Sequence, residues 1–127
     1  MKAAQVAAPA GLDKITTVTL DDPKPAAGEI LVRVRAVSLN FHDLAVVSGM
    51  IPLAEPRVPM SDGAGEVVAV GDGVTDFAVG DKVMSTFFPN WSDGEPNLEA
   101  LLGVPGDHVD GMAAELVTMP ASAFTRI

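Results

Sequence analysis

The side chains best suited to chemistry lie in two short segments, residues 40–43 and residues 61–62. In the first, His42 carries an imidazole, the group that most readily exchanges a proton near neutral pH. Asn40 carries an amide that can hydrogen-bond a substrate oxygen or a carboxamide. We interpret His42 as a proton donor and Asn40 as a binding group. The alternatives are a surface or packing histidine and an Asn40 that only caps a helix.

Four side chains are candidates for the wall of a substrate pocket. Ser61 and Asp62 precede residues 63–65, Gly-Ala-Gly, where small side chains let a ligand or another backbone come close. Trp91 follows two phenylalanines, and ligand sites usually combine aromatic side chains with a few polar groups. Phe41 is the fourth candidate. Packing alone would also explain the glycines and the aromatic residues.

The sequence offers no strong metal site. It contains no cysteine, which removes thiolate ligands and any cysteine-rich zinc lobe. His108 lies between Asp107 and Asp110, but three polar residues on a loop supply no fixed tetrahedral geometry. We therefore interpret these residues as a solvated loop and expect no bound metal.

Composition restricts the class of protein. A chain of 127 residues fits one domain, and 48% hydrophobic residues are enough to form a core. A net charge of −9 argues against a nucleic-acid partner, which requires clustered Lys and Arg. No segment reaches the roughly 18–20 apolar residues of a membrane span, and the N-terminal residues do not resemble a signal peptide. We expect a cytoplasmic protein with no membrane or nucleic-acid partner.

Short strands separated by turns predict a mainly β fold. Residues 2–8 and 15–20 predict an opening hairpin, and residues 29–39 predict the clearest strand because apolar side chains alternate there with Arg33 and Arg35. Further strands are expected at 65–70, 82–87 and 112–118, with a glycine turn at 71–73.

One helix and one long loop interrupt the strands. Asn40 suits an N-cap, Asp43 the first helical turn and Gly49 a helix end, so a helix is expected at 41–48. Residues 89–110 predict a polar loop, and a loop of this length usually has a role such as covering a site. No glycine-rich phosphate loop joins a strand to a helix.

Several segments, taken in order, are similar to a known family. Residues 29–34 read E-I-L-V-R-V, residues 38–43 read S-L-N-F-H-D and residues 62–67 read D-G-A-G-E-V, and the match continues at 77–83 and 111–116. Over nearly the whole chain this pattern resembles the GroES-like domain of medium-chain dehydrogenases/reductases. The resemblance implies that residues 1–127 form a partly open β-barrel with one or two short helices. It also implies a two-domain enzyme whose Rossmann domain is absent from this chain.

Two positions indicate the branch of the family. Zinc-dependent members carry Cys where Asn40 stands and His where Ser61 stands, and an amide and a hydroxyl are poor zinc ligands beside those groups. The sequence is instead similar to quinone oxidoreductases and enoyl reductases, which transfer hydride without metal. This similarity implies NAD(P)(H) as cofactor and no zinc. It implies that Asn40 and His42 are catalytic and that Asn40 also contacts the nicotinamide.

Two functions stay open on the sequence alone. The first is the substrate side of an NAD(P)(H)-dependent, zinc-independent oxidoreductase acting on a small quinone, enone, aldehyde or alcohol. The second is a stand-alone barrel that acts as a binding or interaction module. In the first case the missing domain would hold most of the cofactor. We also expect a homo-oligomer, because apolar residues such as Phe41 and Met50 would be left exposed.

Overall fold

The computed structural model describes all 127 residues. The strands are β1 (Lys2–Val6), β2 (Ile15–Thr19), β3 (Glu29–Ser38), β4 (Asp62–Val70), β5 (Lys82–Ser85), β6 (Leu116–Pro120) and β7 (Phe124–Arg126). Two short α-helices, α1 (Phe41–Val47) and α2 (Leu98–Leu101), accompany 3-10 turns at Leu12–Lys14 and Ala121–Ala123. The mainly β fold with one or two short helices is therefore confirmed. Neither helix has the length and apolar character needed to cross a membrane.

The strands form two antiparallel sheets that join along β1. The larger sheet has the order β6-β3-β4-β5-β7, and β1 pairs with β2 in the smaller one. Backbone hydrogen bonds from Ala4 to Ala113 (2.8 Å) and from Glu115 to Lys2 (3.0 Å) connect β1 to the segment that leads into β6. These bonds extend the larger sheet around the core and produce a partly open barrel.

The core lies inside this curved sheet. Ile30 and Val32 of β3 are buried, whereas Arg33 and Arg35 are exposed, as the alternating pattern predicts. The core cluster consists of Ile30, Val32, Met60, Val67, Val83, Met112, Val117, Met119, Ala123 and Phe124. Every strand of the larger sheet contributes a side chain to this cluster, so the core fixes the ends of β3, β4 and β5 that carry the polar side chains described below.

Several elements differ from the sequence-based expectations. Strand β4 begins at Asp62 rather than residue 65, and β6 begins at Leu116 rather than residue 112. Met112 and Ala113 donate their backbone N–H groups to Met60 and Pro59 instead of to β3, which keeps them out of the strand. The position of the second helix, α2, within the segment expected to be a loop, and the short strand β7 were not predicted from the sequence. The glycine turn at 71–73 is present, but it opens a longer connection to β5.

Candidate functional site

The N-terminus of α1 is fixed by a reciprocal cap. Asn40 has an extended backbone (φ −109°, ψ 158°) and stands as the N-cap, with its side chain turned to the third helical residue, Asp43. The backbone N–H of Asn40 donates to Oδ2 of Asp43 at 2.8 Å. This capping box satisfies backbone groups that a helix start leaves unpaired. The sequence-based capping roles of both residues are confirmed.

Asp43 also ties the helix to the start of β4. Its side chain is buried, with 3% of its surface exposed. Its second oxygen, Oδ1, accepts a hydrogen bond from the backbone N–H of Ser61 at 2.8 Å. One carboxylate therefore sets the distance between the two segments that carry the candidate site residues.

The Asn40 amide completes this junction. Its Nδ2 donates to Ser61 Oγ at 3.0 Å and to Asp62 Oδ2 at 2.7 Å. Both amide hydrogens are thus used inside the protein, and the carbonyl oxygen, which faces the Asp43 backbone N–H in the capping box, keeps one lone pair for a ligand. In contrast, Oδ1 of Asp62 accepts no hydrogen bond from the chain, and no Lys or Arg forms an ion pair with it.

Ser61 is held by a strained neighbour and a close glycine. Met60 has a positive φ of 81°, which side chains other than glycine rarely adopt. A Cβ atom on Gly111 would lie 2.2 Å from the Met60 carbonyl oxygen, so only glycine allows this close approach. The strain at Met60 is held in place by its packing in the core, and it directs Ser61 toward α1.

Ser61 and Ser85 are internal polar links. Ser61 is completely buried, so it supports the junction rather than lining a cavity. The hydroxyl of Ser85 accepts from the Gly63 N–H at 3.0 Å and lies 3.5 Å from the Ser61 carbonyl oxygen, to which it donates. Sequence reasoning missed Ser85, because a serine at the end of a short strand carries no signal of its partner on β4.

A cavity of about 350 Å³ opens where β3, β4 and β5 end side by side. Asp62 lines it together with small and apolar side chains, and the complete lining is Ala36, Val37, Ser38, Asp62, Gly63, Ala64, Met84 and Ser85. Small ligands usually bind in mostly apolar concavities with a few polar groups. The cavity is therefore a space that a small molecule can enter, and Asp62 connects it to Asn40 and Ser61.

His42 points to a second acidic residue, Asp107. Its Nε2 atom is buried and lies 3.5 Å from Oδ2 of Asp107, without the geometry of a hydrogen bond. The edge of the ring packs against Phe87, with ring centroids 5.3 Å apart. His108 approaches the same Asp107 oxygen at 3.9 Å. Nε2 is thus enclosed, and Nδ1 makes no hydrogen bond within the chain.

The solvated-loop interpretation was wrong for Asp107. Its side chain is only 13% exposed, whereas that of His108 is 41% exposed, as a solvated residue would be. The Asp110 carboxylate is also hydrogen-bonded within the protein, because it accepts from the Val58 N–H at 2.9 Å. Sequence reasoning missed Asp107 as a partner of His42 because the two are far apart in the chain.

Phe41 and Trp91 are not brought into the cavity beside Asp62. Phe41 is 76% exposed on the outer side of α1. Trp91 packs against Phe88, donates Nε1–H to the Gly94 carbonyl at 3.2 Å and lines a separate, polar cavity of about 630 Å³. Of the four predicted pocket residues, Asp62 lines the cavity. Ser61 is buried next to it and accepts a hydrogen bond from Asn40.

The polar cluster does not have the donor set of a zinc site. Zinc sites in proteins use thiolate, imidazole and carboxylate ligands about 2.0–2.3 Å from the ion. Here the Asn40 amide nitrogen has no free lone pair and is hydrogen-bonded to Ser61 Oγ. Asp62 is the one carboxylate that faces the cavity, and His42 is turned to Asp107. These residues therefore do not fit a tetrahedral zinc ion.

Comparison with known proteins identifies the family. Residues 26–127 match the model of the alcohol dehydrogenase GroES-like domain. The chain belongs to this family.

Among curated proteins, the chain is 38% identical over 117 residues to a zinc-type alcohol dehydrogenase-like protein of Schizosaccharomyces pombe, covering 90% of this chain and 34% of that protein. It is 30% identical over 118 residues to an acryloyl-coenzyme A reductase of Metallosphaera sedula, covering 85% and 35%. A crystal structure of an NAD-dependent alcohol dehydrogenase superposes with a TM-score of 0.84 at 33% identity, covering 99% of this chain and 39% of that one. The chain spans about a third of the length of these relatives.

Proposed function

We propose that this chain is the substrate-side domain of an NAD(P)(H)-dependent, zinc-independent oxidoreductase. Its substrate class is a small quinone, enone, aldehyde or alcohol. In this proposal residues 1–127 are the N-terminal part of a two-domain protein whose second, nucleotide-binding domain holds most of the cofactor. The protein works in the cytoplasm as a homo-oligomer, without nucleic-acid or membrane partners.

The observation that carries the proposal is the hydrogen-bonded cluster of Asn40, Ser61 and Asp62, of which Asp62 lines the cavity. It occupies the junction between α1 and β4 in a domain of the alcohol dehydrogenase family. Its donor set suits hydrogen bonding to a neutral ligand and does not suit zinc. The name of the Schizosaccharomyces pombe relative contains the term zinc-type. We propose a zinc-independent mechanism for this chain because its own residues lack the ligands that zinc requires.

The residues of the chain have distinct roles in this scheme. A reduced nicotinamide supplies the hydride when it is bound. The Asn40 carbonyl oxygen accepts a hydrogen bond from a donor such as the nicotinamide carboxamide. His42 exchanges the proton through Nδ1, and Asp107 keeps the ring oriented from the Nε2 side. Phe87 packs against the ring in a T-shaped contact and restricts its rotation.

A cofactor-consumption assay tests the proposal. The longer protein that carries this chain is incubated with NADH or NADPH and a panel of quinones, enones, aldehydes and ketones that includes hydroxyl-bearing members of each class. We expect substrate-dependent oxidation of one of the two cofactors. The Asn40→Asp variant places a second carboxylate against Asp62, and we expect it to lose most turnover while Asp21→Asn keeps it. If no substrate in the panel consumes either cofactor, or if the reading frame ends without a nucleotide-binding domain, the proposal fails.

A further inference from the structure

The second oxygen of Asp62 is the unused polar atom at the cavity. The other oxygen, Oδ2, accepts the 2.7 Å hydrogen bond from Asn40. Oδ1 has no donor from the chain, and no cation pairs with the side chain, although Asp62 is only partly exposed. A carboxylate oxygen that is partly removed from water and has no partner gains from any hydrogen-bond donor brought to it.

The other side chains of the lining provide few groups that could accept a hydrogen bond from a ligand. Ser85 is already committed to Gly63 and Ser61. Ser38 contributes a hydroxyl, and the remaining lining residues are glycine, alanine, valine and methionine. An apolar wall with one free anionic acceptor prefers a compact apolar body that carries one donor group. It disfavours an anion, because no positive charge in the lining would offset repulsion by Asp62.

We infer that Asp62 determines specificity, and that the cavity takes neutral compounds bearing an O–H or N–H donor next to an apolar body while rejecting carboxylates. That the compound bound in the cavity is the substrate of the enzyme rests on the proposed function. Asn40 acts as a positioning residue for Asp62, because its amide fixes the side chain through Oδ2 and leaves Oδ1 for the ligand. Among the proposed substrates, alcohols and carbonyl compounds that also carry a hydroxyl group fit this preference, whereas quinones, enones and aldehydes without a donor fit it less well.

Three probes of nearly equal shape test the preference directly. Cyclohexanecarboxamide carries N–H donors, cyclohexyl methyl ketone carries none, and cyclohexanecarboxylate is an anion. Each is titrated into the 127-residue chain while the backbone amide resonances of Gly63, Ala64 and Ser85 are followed by NMR. A hydrogen bond to a charged acceptor is worth roughly a tenfold change in dissociation constant. We expect the carboxamide to bind about tenfold more tightly than the ketone, and the carboxylate to bind least.

The Asp62→Asn variant keeps the shape of the side chain and removes its charge. We expect the penalty against the carboxylate to disappear and the advantage of the carboxamide to fall to within about threefold of the ketone. Asp72→Asn makes the same charge change at an exposed turn and leaves the order of the three probes unchanged. The inference would be overturned if the three probes bound equally, or if only resonances of residues outside the cavity changed on titration. An unchanged order of the probes in Asp62→Asn would also overturn it.

The titration and the turnover assay separate the two proposals. If the three probes bind in the expected order but the longer protein consumes no cofactor, the cavity assignment stands and the oxidoreductase proposal fails. If cofactor is consumed but the probes bind equally, the oxidoreductase proposal stands and the role of Asp62 in specificity is wrong.

Discussion

The buried carboxylate of Asp43 accepts the backbone N–H of Ser61 at 2.8 Å while its other oxygen accepts the N–H of Asn40 at the same distance. Two segments that are distant in sequence are thereby held together by one side chain. The hydrogen bonds of Asn40 to Ser61 and Asp62 depend on this spacing. The geometry of the candidate site is therefore a consequence of how one helix is capped.

The first prediction concerns the stability of that junction. Asp43→Ala leaves two backbone N–H groups without an acceptor, and we expect a loss of about 3 kcal/mol in the free energy of unfolding. Asp43→Asn retains one acceptor oxygen and loses about half as much. Urea denaturation measures both, with the exposed Asp21→Ala as control. If Asp43→Ala were no less stable than Asp21→Ala, the carboxylate would not hold the junction.

The second prediction separates the two histidines, which both approach Asp107. His42→Gln removes the imidazole that we propose exchanges the proton, so we expect turnover by the longer protein to fall about 100-fold. His108→Gln changes the more exposed ring and leaves turnover within a factor of two or so. Steady-state kinetics with the best substrate of the panel makes the comparison. Similar losses in the two variants would mean that His42 has no special part in proton transfer.

The third prediction concerns acid stability. The backbone N–H of Ala78, followed by the side chain of Arg126, holds the pKa of the Asp81 carboxyl below its ordinary value. A lowered pKa in the folded state gives stability that is present above the unfolded pKa and is lost as pH falls through the folded one. The affected window thus lies below about pH 4.

The Asp81→Asn variant tests this window, because its side chain does not titrate. Urea midpoints are measured between about pH 5 and about pH 3, on either side of the ordinary carboxyl range. We expect the unaltered chain to lose more stability across this range than Asp81→Asn does, and Asp72→Asn to behave like the unaltered chain. Parallel pH profiles for the unaltered chain and Asp81→Asn would exclude the proposed role of Asp81.

The fourth prediction concerns self-association. Leu39, Phe41 and Met50 are highly exposed around α1, and exposed apolar side chains favour contacts between proteins. We expect the 127-residue chain to dimerise at high protein concentration, more readily in high salt because salt screens its net charge of −9. Phe41→Ser weakens the dimer and Leu12→Ser, at another exposed apolar position, does not. Light scattering that shows a monomer throughout would contradict this expectation.

Sequence patterning predicted the long elements because their own residues specify them. Alternation along β3 and the cap at Asn40 are local signals, and both appear in the structure. Strand β7 has only three residues, and its pairing with β5 is set by tertiary contacts rather than by its own composition. The start of β6 shifted because Met112 bonds to Met60, a partner that no local pattern reveals.

The candidate site was predictable in its residue types and not in its contacts. The sequence identified Asn40, Ser61 and Asp62 separately, since each lies next to a strand or helix boundary. It did not indicate that the Asn40 amide would donate to both Ser61 and Asp62. Those hydrogen bonds leave Oδ1 of Asp62 as an acceptor without a donor. The contact between His42 and Asp107 depends on how the long loop folds back, and this is a property of packing.

The most direct test of zinc-independent hydride transfer is turnover by the longer protein before and after exhaustive chelation, with the zinc content measured on the same samples. We predict unchanged NAD(P)H-dependent turnover at substoichiometric zinc, because Asn40, Ser61 and Asp62 do not form a zinc donor set. Loss of turnover on chelation, with recovery when one zinc per chain is restored, would contradict the account.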